Sequence, residues 1–358
     1  MSLDLTADVV ELTRQLVDFP SESLQEAALA DAVEVALREH SHLEVTRVGN
    51  TVVARTVLGR PERVVIAGHL DTVPENGNLP SRLEGGVLHG LGSVDMKGGV
   101  AVGLKLAAGL TASNRDITYV FYDAEEIAAI HNGLGKISQT HPHLLEADFA
   151  ILMEPSNALV EAGCQGTMRV EVATSGERAH TARAWMGSNA IHKTAELLNR
   201  LNAYEPRKPV IDGLTYHEGL NAVFINGGVA GNVLPDACTV TVNYRFAPDR
   251  SEAEAEAFLH DFFDGYSVTV TDSSPGALPG LTRPAARAFL DAVGGAPAPK
   301  FGWTDVSRFS ALGVPAVNFG PGDPLLAHKA EEHVHVEEIV RCEQQLVAWL
   351  SETEGESR

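Results

Sequence analysis

Apolar positions recur at helical spacing at the start of the chain, with Val9, Leu12, Leu16 and Phe19 forming one stripe over 7–19 until Pro20 stops the pattern. Ser23 with Glu26 three residues on has the form of a capping box, leading into a second helix striped by Leu29, Val33 and Leu37. The period then changes. Residues 43–48 and 51–57 read as a hairpin about Gly49-Asn50, and 63–67 continue the sheet. The runs 117–122 and 148–153 are apolar on both faces, as strands covered on both sides are. Between them a small-residue helix opens at Lys97 (Val100, Leu104, Leu106, Ala107), thin enough to lie close to a sheet. Another helix is predicted from Ile127.

From Gly166 the texture alters. Residues 167–174 alternate as a half-exposed strand, 189–201 are helical, 222–229 and 239–246 are strands, 251–263 a helix and 266–271 a strand. This β-α-β-β-α-β order folds as a separate α+β unit. Ser273-Ser274-Pro275-Gly276 reads as the link back, after which helix 281–292, strand 316–319 and helix 337–350 rejoin the first layer. The expected architecture is therefore an α/β domain with a central mixed sheet flanked by helices. It is discontinuous over 1–165 and 275–358, with a ferredoxin-like α+β domain inserted at 166–274. The tail 351–358 is expected to be disordered, and the chain has no internal repeat.

Composition narrows the chemistry. With 44% hydrophobic and 21% charged residues among 358, the usage is that of a globular protein, and a formal net charge of -21 argues against nucleic acid or an anionic membrane as partner. Cys164, Cys238 and Cys342 are scattered, which suggests neither a disulfide framework nor a thiolate metal site and fits a reducing compartment. The N-terminus has no basic region before an apolar core, and no apolar run approaches bilayer length, so a cytoplasmic location is expected. A phosphate-binding Gly-x-x-x-x-Gly-Lys-Ser/Thr loop is absent.

Candidate chemistry collects at strand ends, where open α/β sheets bind ligands. His69 and Asp71 follow 63–67; being two apart on extended chain, they point the same way, one able to hold a metal and one to orient it. Glu125 and Glu126 follow 117–122, and Glu154 follows 148–153. Asp95 stands just before the Lys97 helix, where a helix cap is the alternative reading. Imidazole and carboxylate without thiolate favour zinc, or cobalt or manganese if supplied.

Seven stretches in order carry a resemblance: Gly68-His-Leu-Asp-Thr-Val-Pro74, Gly92-Ser-Val-Asp-Met-Lys-Gly-Gly99, Glu125-Glu126, Glu154-Pro155, Ser175-Gly-Glu-Arg-Ala-His180, Gly231-Asn-Val-Leu-Pro-Asp236 and Ala327-His-Lys-Ala-Glu-Glu-His-Val334. Together the chain resembles the M20 family of co-catalytic zinc amidohydrolases and peptidases. That resemblance implies two zinc ions per subunit, with Asp95 bridging, His69 and Glu154 completing one site, and Glu126 and His328 the other. It further implies Asp71 behind His69, a cis peptide bond after Asp95, and Glu125 as the base that takes a proton from metal-acidified water and returns it to the leaving amine. His180 would reach from the small domain of a partner subunit as oxyanion donor, with Asn232 beside the scissile amide, so a homodimer is implied.

The implied substrate is a small N-acylated amino acid. Arg245 matches an arginine that pairs with a substrate carboxylate, and Thr304 and Arg308 lie in a substrate-side run, 302–309. Cys164-Gln165 stand where related chains carry an arginine pair, leaving Thr167 or backbone donors as substitutes. Ile127 replaces a common glycine, and one extra residue separates Asp305 from Arg308. Within the family, a deacetylase, aminoacylase or carboxypeptidase would share every metal residue; from another class, a non-catalytic binding protein could keep the fold. Retention of all five ligands and Glu125 speaks against the latter. His40, His42, His131, His141 and His143 read as solvated or capping. His333 and His335 flank a strand near His328, and the spacing to Glu332 favours His328 as ligand. Trp185 and Trp349 read as packing residues, and Trp303 as lining the pocket.

Overall fold

The structure is a computed structural model that describes residues 2–351, so the tail expected to be disordered lies, from 352 on, outside the described residues. The chain divides into two compact units. One runs from the N-terminus to Ala162 and takes in Pro279–Ala298 and the chain from Arg308 onward; the other is Gly163–Leu278 with Pro299–Ser307.

The first unit is built on an eight-stranded mixed sheet in the order Glu44–Val48, Thr51–Arg55, Asp116–Tyr122, Arg63–His69, Phe149–Leu152, Ala316–Asn318, Glu161–Ala162, Ala298–Pro299. Arg63–His69 runs parallel to both its neighbours, and Phe149–Leu152 parallel to Ala316–Asn318. Four adjacent strands thus deliver their carboxyl ends to one edge. Their residues are buried nearly throughout, which is why they read as continuous apolar runs. Helix Lys97–Gly109 lies close to the sheet because a Cβ at Gly99 would fall on the Met153 carbonyl, and one at Gly103 would press on Phe121. Val9–Val17 and Val336–Leu350 pack on that helix, and Trp349 stacks against Phe149 and Phe289, the packing role its sequence suggested.

Two local expectations change. Ser23 and Glu26 do not form a capping box: Glu26 itself is the N-cap of Ala27–Arg38 and caps nothing with its side chain, while the Ser23 hydroxyl donates to Asp71 Oδ2 at 2.7 Å. The stronger acceptor is the buried carboxylate at the strand end. The helix expected from Ile127 starts at Gly133 instead, because Asn132 Oδ1 accepts from Gly135 N and sets the cap there. Within 127–132, which hold no helix, residues 129–131 form a turn.

The second unit contains a four-stranded antiparallel sheet ordered Gly219–Gly227, Ala237–Phe246, Gly166–Ser175, Ser267–Ser274, the ferredoxin-like arrangement expected from the element order. Strict alternation sends Met168, Val170, Val172, Val240, Val242 and Tyr244 into a core shared with Leu197, Leu259 and Phe263. The opposite face presents Thr167, Arg169, Asn243 and Arg245. Residues 299–307, assigned from sequence to the first domain, pack here: Trp303 Nε1 and Ser307 Oγ both donate to the Pro275 carbonyl, at 3.0 and 2.7 Å, and Cys164 Sγ sits 3.7 Å from the Thr304 carbonyl. A loop carbonyl with two side-chain donors holds the segment.

Candidate metal centre

His69 ends its strand with the side chain buried, and its Nδ1 faces the Asp71 carbonyl at 3.0 Å. A carbonyl can only accept, so Nδ1 carries a proton and Nε2 is the atom turned toward the site. That Nε2 lies 3.0 Å from Asp95 Oδ1. The other Asp95 oxygen lies 3.4 Å from His328 Nε2, which is also 2.9 Å from Glu126 Oε1. Each oxygen of one carboxylate thus faces a different imidazole. Ligand atoms of His69, Asp95 and Glu126 all fall within 4.8 Å of one another. The Asp95–Met96 peptide bond is cis, as implied by the resemblance. Asp95 is not the cap of the helix that follows, since Met96 occupies that position and Asp95 points at the two rings.

Glu154 comes two residues after Leu152. Because Leu152 pairs with Ala67 in parallel register and Met153 N donates to the Ala67 carbonyl, Glu154 stands level with His69, its side chain buried. His328 is held at φ +63° in a loop and is half exposed. Glu125 is half-buried, and its backbone N–H donates to Asp71 Oδ1 at 3.0 Å while that of Glu126 donates to Oδ2 at 3.1 Å. Asp71 therefore does more than stand behind His69, from which its Oδ1 is 3.4 Å distant. It fixes the backbone that presents both glutamates.

The electrostatics follow from crowding. Burial opposes charge on His69, yet its hydrogen bonds to Asp71 and Asp95 lift its pKa well above the ordinary value. Hydrogen bonds to Asp95 and Glu126 carry His328 up to about 10. Burial alone would raise Asp95, but the two imidazoles hold it below the carboxylate range. These rings and carboxylates are arranged to satisfy shared positive charge, which protons or divalent cations can supply.

Three further buried residues brace these elements in roles that the sequence reading did not assign them. Glu332 accepts from the backbone N–H of Gly92, Val94 and Asp95 at 3.0, 2.9 and 3.1 Å, and burial pushes its carboxyl up to about 7. It latches the loop that carries Asp95 from more than two hundred residues away. Lys97 is buried with Nζ on the Phe19 carbonyl at 2.7 Å, and burial lowers its ammonium to about 7. Glu26 Oε1 accepts from Leu24 N and Ala124 N, bracing the turn before Glu125.

Arg308 also belongs to the first unit, where its guanidinium lies against the start of Gly133–Thr140, so that a Cβ at Gly135 would come within 2.7 Å of Nη1. The other sequence candidates are in the second unit. His180 Nδ1 accepts from Ala182 N at 3.0 Å, which leaves the proton of the neutral ring on Nε2, exposed. Its strand-like segment bridges to Val233, and Thr181 N donates to the Asn232 carbonyl at 3.0 Å, so His180 and Asn232 are brought together. Arg245 pairs across the sheet with Thr167, whose hydroxyl accepts from Asn243 Nδ2 at 3.1 Å. Burial first, and Arg169 second, lower the Arg245 pKa, so two guanidinium groups lie near each other on one face; Arg169 was not among the sequence candidates. Thr304 is buried, and Gln165 is committed to the His217 carbonyl at 2.8 Å. Trp185 is not a packing residue within this chain, being 78% exposed.

The sequence profile of peptidase family M20/M25/M40 matches residues 65–352. The chain belongs to this family. It is 58% identical over 340 residues to a Mycobacterium tuberculosis protein whose name assigns it provisionally to succinyl-diaminopimelate desuccinylase, covering 94% of this chain and 96% of that one. It is 48% identical over 361 residues to the succinyl-diaminopimelate desuccinylase of Corynebacterium glutamicum, covering 98% of each. Among solved structures, a dinuclear metal binding peptidase from family M20 of Bacillus subtilis superposes with a TM-score of 0.69 at 17% identity, covering 95% of this chain and 96% of that one. The chain is an amide-hydrolysing enzyme of a metal-dependent family. Among the described residues no helix is long and apolar enough to cross a membrane.

Proposed function

We propose that the enzyme hydrolyses N-succinyl-LL-2,6-diaminopimelate to succinate and LL-2,6-diaminopimelate at a dinuclear zinc centre. The observation that carries the chemistry is Asp95, whose two oxygens face His69 and His328 separately, as a bridging carboxylate must. The choice of acyl group rests on the identity to relatives that bear that name.

The donor set fits zinc: two imidazoles, three carboxylates and no thiolate, with protonated Nδ1 on His69 leaving Nε2 to bind. His69 and Glu154 would hold one ion, Glu126 and His328 the other, and Asp95 both; cobalt or manganese suits the same donors. When bound, the ions polarise the amide carbonyl and acidify water. Glu125 would take a proton from the attacking water and return it to the leaving amine, its position set by the Asp71 carboxylate through the backbone. His180 Nε2–H serves as donor to the tetrahedral oxyanion in a partner's site. Arg245, with Arg169 near it, pairs with a substrate carboxylate, and Thr167, Asn232, Thr304 and Arg308 complete the substrate side. A reducing cytoplasm agrees with three buried free cysteines.

On zinc-loaded protein, succinyl-diaminopimelate is expected to be turned over faster than acetylornithine and N-acetylated or dipeptide substrates. Preference for acetylornithine in that panel would replace the substrate assignment while leaving the metal chemistry intact.

The inserted unit is the dimerisation domain in this reading. Gly219–Gly227 lies at a sheet edge with Val223, Phe224 and Ile225 exposed at 45, 71 and 55%, an open apolar edge that an isolated monomer leaves in water. Phe224→Asp is expected to give a monomer by sedimentation and to lower kcat by about 10²–10³, the usual cost of losing an oxyanion donor. A monomeric variant with parental kcat would remove His180 from the reaction.

A further inference from the structure

The loop that carries His180 holds a second side chain to which the proposed reaction gives no task. Residues 177–188 are closed at the base, where Glu177 N donates to the Ser188 carbonyl at 2.8 Å and Ser188 N to the Glu177 carbonyl at 3.0 Å. Gly187 permits this closure, since a Cβ there would come within 2.4 Å of the Glu177 carbonyl oxygen. Residues 232–234 brace the loop again: Thr181 N donates to the Asn232 carbonyl and Leu234 N to the Ala179 carbonyl, at 3.0 and 2.9 Å. Arg183 N donates to the His180 carbonyl at 2.7 Å, so one tight turn carries both side chains, and both are exposed.

The guanidinium of Arg183 is unpaired. Of the seven arginines in the second unit, Arg169, Arg178, Arg200, Arg207 and Arg250 stand 2.7 to 3.9 Å from a carboxylate. Among the described residues Arg183 and Arg245 alone in that unit have neither an ion pair nor a side-chain hydrogen bond. In a chain of net charge -21 carboxylates are plentiful, so a guanidinium left open on a braced turn is available to an anion from outside the chain.

The proposed substrate offers such anions. Its succinyl arm ends in a carboxylate and its acylated amino-acid end bears another, while Arg245 can clamp one. Cys164 and Gln165 supply no second cation, being held at the Thr304 and His217 carbonyls. Two methylenes separate the succinyl carboxylate from the scissile carbonyl, a span of about 4 Å by bond lengths. A turn, whose first and fourth Cα atoms lie within about 7 Å, suits donors to both groups.

We propose that Arg183 is a specificity residue: carried with His180 into the partner's site, it clamps the terminal carboxylate of the succinyl group and selects an anionic acyl group over a neutral one. Bidentate pairing gives the clamp direction as well as charge. The inference rests on the succinylated substrate and on the role of His180 across the dimer, both proposed above.

Measurement of kcat/KM for N-succinyl- and N-acetyl-diaminopimelate on zinc-loaded parent and variants tests it. Arg183→Met is expected to lose about 10²-fold on the succinylated substrate while staying within about twofold of the parent on the acetylated one, with Arg183→Lys intermediate. Equal loss on both substrates, or a parental preference for succinyl in Arg183→Met, would overturn the proposal. A parent without preference for succinyl would remove the substrate reading and this inference with it. The contribution across the dimer is read by subunit exchange between Arg183→Met and Glu125→Gln, each first shown to be dimeric by sedimentation. The mixed dimer alone has a site with Glu125 from one chain and Arg183 from the other, so turnover of the succinylated substrate should recover to about a quarter of parental. No recovery on mixing would place Arg183 outside the partner's site and overturn the assignment.

Discussion

Glu125→Gln is expected to lower kcat by about 10²–10⁴, the range that general acid–base catalysis contributes, with KM and bound metal close to parental values. The substitution keeps the size of the side chain and the backbone N–H that donates to Asp71 Oδ1, so the turn bearing Glu126 stays in place. What it removes is a proton acceptor that can also return the proton. Turnover on the preferred acylated substrate, together with metal analysis of the same preparation, separates loss of chemistry from loss of the centre. Equal turnover in variant and parent would show that another group moves the proton. A fall in metal content parallel to the fall in activity would instead assign Glu125 to holding the centre.

Asp95→Asn should have a larger and different effect. The carboxylate offers one oxygen toward His69 Nε2 and one toward His328 Nε2, at 3.0 and 3.4 Å. An amide supplies only one oxygen, and its NH₂ would face either a ring nitrogen or a cation with hydrogens. Metal content is expected to fall to one ion or fewer per chain, and turnover by more than the about 10–100-fold that changes to outer-shell partners cost. Chelation of the parent should abolish turnover, and added Zn²⁺ should restore it in the parent and not in Asp95→Asn. A variant that retains two ions and parental turnover would exclude Asp95 as the bridge.

Much of this centre was legible in the chain because the strands are local objects. A buried parallel strand shows as an unbroken apolar run, and the residue after it must lie at the sheet edge, which is how His69, Glu125, Glu126 and Glu154 were found. His328 has no such frame: it sits in a loop at positive φ, and only the resemblance of its flanking residues pointed to it. Ser23 misled for a related reason. Its spacing to Glu26 matches a helix cap, but the partner that won its hydroxyl is Asp71, nearly fifty residues on. Likewise 299–307 carry no composition change to reveal that Pro275 would hold Trp303 and Ser307.

The sequence by itself determined the strand ends and which imidazoles and carboxylates follow them, since each depends on periodicity within a few turns or on local chain order. Tertiary structure alone decided which oxygen of Asp95 meets which imidazole, that Asp71 governs Glu125 through its backbone, and that Glu332 latches the Asp95 loop. The physical reason is the same in each case. Hydrogen bonds and ion contacts act over about 3 Å, and which groups come within that range is set by sheet register and loop closure rather than by distance along the chain.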